Sequence, residues 1–359
     1  VPVRNAIPWL AALAAIALLL IGWQPHQGLS GLQTVRTASE LVEAVSECSG
    51  RTILLEPGAY VLEDTLDLSG MSHVNLVGSG WNTTIHKTGP GPALLLDSCH
   101  FTVIKDLMVT GSDGAEDGVV YRGTSSSNIL EHCRLSGFAR SGVRYEGKSE
   151  QPMSSNTLKD SHFIDNLGVQ LHSIWNNDFL IVGNQFGRWE EAPQVGCWLE
   201  HSSAGSYTLN YHWDNDIAFR LGPGSDYNRI ENNRFEESRT HGILIGDPVE
   251  PNQWNRFNTI TGNTIHTNSK TNWREYAAVI AYDAHDTIFN SNQVFSWYPP
   301  DTQHSEGLVL ERGSFDWLVT GNILRHQSGL AIRAQPDHGH LIKDNLVDTE
   351  PWGEDDADR

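Results

Sequence analysis

Cysteine is scarce in this 359-residue chain: Cys48, Cys99, Cys133 and Cys197 are the only four, and no two stand in CxxC spacing. That excludes a zinc site built on paired thiolates and a disulfide framework. The thiols read as small core residues, with one incidental pair at most. Positive charge is also short, 24 Lys and Arg against 44 Asp and Glu, for a net charge of −20. A nucleic-acid partner is thereby excluded, because phosphate binding needs a cationic surface. An anionic ligand needs a local basic patch or a bridging cation. Bilayer-length apolar runs are missing except at the start, where Ile7 to Trp23 carries no charge and is followed by QPHQGLSG, which lacks the small residues a signal peptidase prefers. Residues 1–30 are therefore expected to be a signal anchor with Arg4 inside and the remainder exported, a cleaved signal peptide being the alternative. The protein is expected to be extracytoplasmic, membrane-anchored through residues 7–23 or secreted.

What the chain has in abundance is repetition. One phrase, usually opened by Gly, recurs as GVVYRG (Gly118), GVRYEG (Gly142), GVQLHS (Gly168), GCWLEH (Gly196), AFRLGP (Ala218), GILIGD (Gly242), AVIAYD (Ala278), GLVLER (Gly307) and GLAIRA (Gly329). A second falls between them, as in NTLKDSHF (Asn156), DFLIVGNQF (Asp178), NRIENNRF (Asn228), NTITGNTI (Asn258), DTIFNSNQV (Asp286) and DWLVTGNIL (Asp316). Both alternate with period two, so they are strands rather than helices. Short strands recurring every 22 to 36 residues predict an all-β fold, a parallel β-helix (solenoid) over residues 51–347, with variable loops on one side.

Asn184, Asn233, Asn263, Asn292 and Asn322 fall at equivalent turns, where stacked amides can bond one another and the freed backbone. Within residues 31–50, Thr37 and Glu40 form a capping box for a short amphipathic helix, TASELVEAVSEC, suited to plugging the apolar end of the solenoid. Residues 348–359 are an acidic tail containing Glu354, Asp355, Asp356 and Asp358. The opening GRTILLEPGAYVLEDTLDL, from Gly50, and HVNLVGSGWNTTI after it resemble the first coils of the pectate-lyase-like right-handed parallel β-helix superfamily, and the resemblance runs from about Thr37 to Val347. It implies a single-stranded right-handed β-helix. It does not choose among the lyases, hydrolases, epimerases, tailspikes and non-catalytic surface proteins that share the fold.

Alternation places Val119, Tyr121, Val143, Tyr145, Val169, Leu171, Cys197, Leu199, Phe219, Leu221, Ile243, Ile245, Leu308 and Leu310 inward. It turns Arg144, Gln170, Trp198, Arg220 and Leu244 outward in one row, and Arg122, Glu146, His172 and Glu200 in another, with Gly222 and Gly246 as open floor. With coils about 4.8 Å apart these side chains form one polar trough, the expected site for a polysaccharide. In a lyase reading Arg220 or His172 is the base and Arg144 grips a uronate carboxylate. Trp198 stacks on a sugar ring, while Glu146 or Glu200 is available to Ca²⁺. Gln170, Asp247 and Tyr282 complete the substrate-binding set. In a hydrolase reading Glu146 and Glu200 flank the bond about 9–10 Å apart. A third reading is a non-catalytic glycan-binding or envelope protein, in which the same residues are ordinary cross-strand pairs.

Two fragments carry further resemblances. THGILIGD (Thr240) is similar to the polygalacturonase signature and places its histidine at His241, but the paired-aspartate motifs and the Arg-x-Lys are absent. YDAHD (Tyr282) resembles the Tyr, Asp and His cluster of alginate epimerases without the Pro before the His. Trp175, Trp189, Trp213, Trp254, Trp273, Trp297 and Tyr298 are read as loop residues, either platforms for sugar rings or buried anchors. The insertion between Gly246 and Ala277 is the expected lid or groove rim.

Overall fold

A computed structural model describes residues 31–112, 114–189, 195–251, 253–296 and 302–348. The expected anchor at residues 7–23, Trp297, Tyr298 and the acidic tail lie outside them. No helix among the described residues is long and apolar enough to cross a membrane.

The described residues wind into a parallel β-helix whose three faces are sheets of 13, 11 and 12 strands. Each strand pairs with the equivalent strands of the coils before and after it, as Ile129–Glu131 pairs with Val103–Lys105 on one side and Thr157–Lys159 on the other. The repeated phrases explain this. The second phrase supplies a strand to the 13-stranded sheet, turns through one left-handed residue and supplies the next strand to the 12-stranded sheet. Asp160, Leu209, Asn232 and Ser291 occupy that corner with φ of 50°, 56°, 56° and 55°, and Gly262 does so at 67°.

The following residue is Ser161 after Asp160, and a stacked amide in the coils that follow. Asn184, Asn210, Asn233, Asn263, Asn292, Asn322 and Asn345 form a continuous ladder, each Nδ2 donating to the next Oδ1 at 2.9–3.1 Å. Each Nδ2 also donates to a backbone carbonyl, which satisfies groups that the bend removes from the sheets.

A single buried cluster of aliphatic and aromatic residues fills the centre, including all four cysteines. Its stacked rings follow the coil repeat: Tyr121 on Tyr145 at 4.7 Å and Phe163 on Phe186 at 5.1 Å. At the N-terminal end, helix Ala38–Val45 buries Leu41, Ala44 and Val45 against the first coils. Thr37 Oγ1 accepts from Glu40 N at 3.2 Å, while Glu40 reaches back to the N–H of Arg36 rather than that of Thr37. The strand Leu32–Val35 already belongs to the 13-stranded sheet, ahead of the helix.

The register of the phrase slips at one coil. In Val169–Ile174 the partner of Val143 is Leu171, and the partner of Arg144 is His172. GVQLHS is therefore displaced by two residues from its neighbours. Gln170, not Gly168, takes the place of the phrase-opening glycine, and Val169 is half-buried at the edge instead of in the core.

Candidate functional site

The outer face of the 11-stranded sheet carries the row of side chains expected to form the trough, with a changed membership. Arg144, His172, Trp198 and Arg220 lie in register on four successive coils, and Glu146, Ile174 and Glu200 lie beside them. Buried apolar residues close this polar segment at both ends. Val120 precedes Arg144, and Leu244, Ile280 and Val309 follow Arg220, packed with Ala277 and Tyr282.

A linked network of charge-assisted bonds runs across the coils. Arg122 Nε and Arg144 Nε donate to the two oxygens of Glu146 at 2.8 and 2.6 Å. Arg144 Nη1 then meets His172 Nδ1 at 2.7 Å, and His172 Nε2 meets Glu200 Oε2 at 3.1 Å. A guanidinium only donates, so Nδ1 accepts and the imidazole proton sits on Nε2, directed at Glu200. Burial, reinforced by the positive charge of Arg144 and opposed by the bond to Glu200, holds the His172 pKa below its ordinary value. Glu200 is held below the carboxylate range, first by its bond from His172. Burial pushes Glu146 up, but the bonds from Arg144 and Arg122 outweigh it and keep this carboxyl ionised.

Trp198 occupies the middle of the trough as a sandwich. His172 stacks on it at 4.4 Å and 12°, and the Arg220 guanidinium lies 4.2 Å from the ring centroid. With both faces covered, the indole orders His172 and Arg220 and offers a sugar only its edge. Its ring lies across Gly222, where a Cβ would stand 2.6 Å from Trp198 Nε1, so that floor is occupied rather than open. Arg220 Nη2 bonds Asp247 Oδ2 at 3.0 Å, and the Arg220 Nε–H is buried without an acceptor.

The structure thus brings together Glu146, Arg144, His172, Trp198, Glu200, Arg220 and Asp247. It does not bring Gln170. That side chain is fully buried and bonded to Asn166 Nδ2 and to the Gly187 carbonyl, because the two-residue slip turns it inward. The slip also puts His172 in the row of Arg144 and Trp198 instead of that of Glu146. Tyr282 belongs to the apolar patch beyond the trough, with Arg312 5.7 Å from its ring. His241 bonds the Ala277 carbonyl at 2.7 Å beside Tyr276, outside the network.

The stretch from Gly246 to Ala277 is not one lid, because it contains two ordinary coil strands, Thr259–Thr261 and Thr264–His266. Arg312, which the sequence did not single out, bonds the Asp247 carbonyl at 2.9 Å and Asp283 Oδ2 at 3.2 Å, fixing the loop that presents Asp247. Its signal was faint, a cation just past the outward Glu311 of its phrase.

The sequence matches the family described as "Periplasmic copper-binding protein (NosD)" over residues 49–268, and "Right handed beta helix region" over residues 210–351. No curated protein matches. Among solved structures it is similar to the mannuronan C-5 epimerase AlgE6 A-module of Azotobacter vinelandii (TM-score 0.68, 13% identity, 87% of this chain and 96% of that one). The Dettilon tailspike protein aligns with TM-score 0.67 at 14% identity, over 86% of this chain and 62% of its own. DFA-IIIase from Arthrobacter chlorophenolicus A6 aligns with TM-score 0.61 at 11% identity, over 87% and 97%. These likenesses establish the right-handed β-helix fold.

Proposed function

The chain belongs to the family described as periplasmic copper-binding protein (NosD); from that membership, the β-helix fold and the trough, we propose an extracytoplasmic protein that cleaves a uronate-containing polysaccharide by β-elimination. The thiols give no support to the copper of the family description. Copper(I) selects thiolate and thioether ligands, and imidazole suits copper in either state. Here the four thiols are fully buried in the core, with burial raising the pKa of Cys99 to about 11 and of Cys133 to about 12. Among the described residues, the convergent group of three His, Cys, Asp or Glu donors is Glu131, His132 and Asp160, with ligand atoms within 4.8 Å of one another. Two carboxylates and one imidazole make it oxygen-rich, a set better matched to a harder cation.

Support for glycan chemistry comes first from the bond between Arg144 and His172. In the free protein Arg144 occupies the Nδ1 lone pair. A uronate carboxylate entering the trough competes for that guanidinium, forming the stronger charge-assisted pair and uncovering Nδ1 as a base. Glu200 meanwhile holds the Nε2 proton and stabilises the imidazolium that results. Removal of the C5 proton by His172 then expels the C4 oxygen, leaving a C4–C5 double bond, and solvent protonates the departing oxygen. Arg220, held between Trp198 and Asp247, adds positive charge beside the carboxylate. The similar folds named for a mannuronan epimerase and for a tailspike agree with a glycan on this architecture.

The hydrolase alternative is weakened by Glu146. A carboxylate gripped by two guanidiniums and held ionised does not serve as a proton-donating acid. The same two bonds occupy both oxygens that a calcium ion would need.

The test is incubation with a panel of uronic-acid polymers, following the ultraviolet absorbance of unsaturated products. His172→Gln is expected to lose about 10²–10⁴-fold in rate, the usual contribution of a positioned base. Arg144→Gln should lose rate chiefly through KM. Product formation by His172→Gln at the parental rate would sink the lyase reading. Reducing ends without absorbance would point to hydrolysis, and binding without either product to a recognition protein.

A further inference from the structure

A second cleft, of about 570 Å³, lies on a different face of the solenoid, over the 12-stranded sheet. Its aromatic floor is built for contact. The Trp213 indole lies flat across Gly187, where any Cβ would fall 1.6 Å from the ring. Trp189 stands 5.0 Å from Trp213 at 48° and is 76% exposed, and Trp81, 46% exposed, rises at the other end beside His162. In contrast to Trp198, these rings leave apolar surface open, clustered as in a ligand site.

The charges around this floor are unequally satisfied. Lys270 Nζ bonds Asp214 at 2.8 Å and Glu237 at 3.0 Å, while Glu236 accepts from Tyr211 and is paired with Arg234. The cleft's carboxylates therefore have cationic or donor partners. Its guanidiniums are less completely bonded. The Arg188 side chain is 2% exposed and pairs with the Asp216 carboxylate at 3.7 Å, too long for a hydrogen bond, and neither Nη atom has a hydrogen-bond partner. Arg134 Nε is likewise buried without an acceptor. A buried charged donor without a hydrogen-bond acceptor is costly, so this site keeps unmet donor capacity that an anionic ligand would satisfy.

We propose that this cleft binds a carboxylate-bearing sugar residue, a hexuronate of a glycan chain, with its ring on Trp189 and Trp213 and its carboxylate forked onto Arg188. Planar bidentate recognition suits a guanidinium, and the aromatic platform suits a pyranose face. The site is separate from the trough and needs no turnover there, so it would serve to hold a polymer against a second face of the solenoid.

The probe is a hexuronate tetrasaccharide, compared with the same oligomer whose carboxylates have been reduced to alcohols. Calorimetry on the full chain gives affinity, and ligand protection of the Trp189 indole from oxidation reports on this cleft alone. The acidic oligomer is expected to protect Trp189, and the reduced oligomer to bind at least about tenfold more weakly, a difference of 1.4 kcal/mol or more. Arg188→Gln and Trp189→Ala should each weaken cleft binding to a similar degree, Arg188→Gln losing the preference for the acidic form. Should Arg188→Gln fail to fold, the exposed Trp189→Ala and the reduced oligomer still decide. Unprotected Trp189, or equal binding of both oligomers, overturns the proposal. His172→Gln should leave Trp189 protection intact, so loss of lyase activity and failure of the cleft are read separately.

Discussion

Two histidines held neutral in the interior contribute to the acid sensitivity of the fold. Burial pushes His212 down to about 3 and His304 down to about 3. The unfolded chain protonates both near pH 6.5, which the native state resists, so their contribution is full above that pH and declines as pH falls toward 3. Each is expected to cost about 1.4 kcal/mol per pH unit once its unfolded form is protonated. Chemical denaturation between about pH 6.5 and 5, above the carboxylate range, should show the decline, and His212→Gln should remove about one proton from the slope. A flat profile over that window would contradict the burial argument. Glycine at 187 makes an equally local claim. Gly187→Ala is expected to drive Trp213 off the sheet, costing about 1–3 kcal/mol by overpacking and shifting tryptophan fluorescence.

At the scale of the coil, one corner residue and one stacked amide recur, and their energetics separate. Leu209 holds φ of 56° while 62% exposed, in a corner where equivalent coils use Gly183 and Gly262. Leu209→Gly is therefore expected to relieve left-handed strain and raise stability by about 1 kcal/mol, measurable by denaturant titration. The ladder behaves oppositely. Asn263→Ala strips acceptors from Asn233 and a donor from the Ile230 carbonyl, a loss of about 2–4 kcal/mol in a buried site. Asn345→Ala, at the half-buried end of the ladder, should cost clearly less. Equal losses at the two positions would mean that burial does not set the ladder's worth. The ladder was legible at five positions because they shared a spacing within the second phrase. Asn210 and Asn345 escaped because their phrases, SYTLN and LIKDN, open on different residues.

For the molecule as a whole, a solenoid is stabilised by nearest-neighbour coils, so its ends set where opening begins. The N-terminal end is covered by the helix burying Leu41, Ala44 and Val45. The last described coil leaves Leu341 51%, Ile342 40%, Leu346 52% and Val347 44% exposed. Hydrogen exchange is expected to be fastest in residues 341–348 and to slow coil by coil inward, whereas the first coils beside the helix exchange slowly. Exchange that is uniform along the axis would show that the solenoid opens as one unit instead.

The sequence by itself determined the architecture, because period-two alternation repeated at coil spacing has one economical solution: stack the strands and bury the alternate residues. It also placed Arg144, Trp198, Glu200 and Arg220 on one outer face. Tertiary structure decided the rest of both sites. A two-residue slip in the coil of His172 is invisible to local alternation, since Gln170 and His172 have the same parity, and only pairing with the coils on either side tells which one faces outward. Which face of an indole stays free, and which guanidinium keeps an unmet donor, depends on neighbours one coil away, about 25 residues along the chain. Separation of that size hides contact chemistry from the sequence while leaving the fold plain to read.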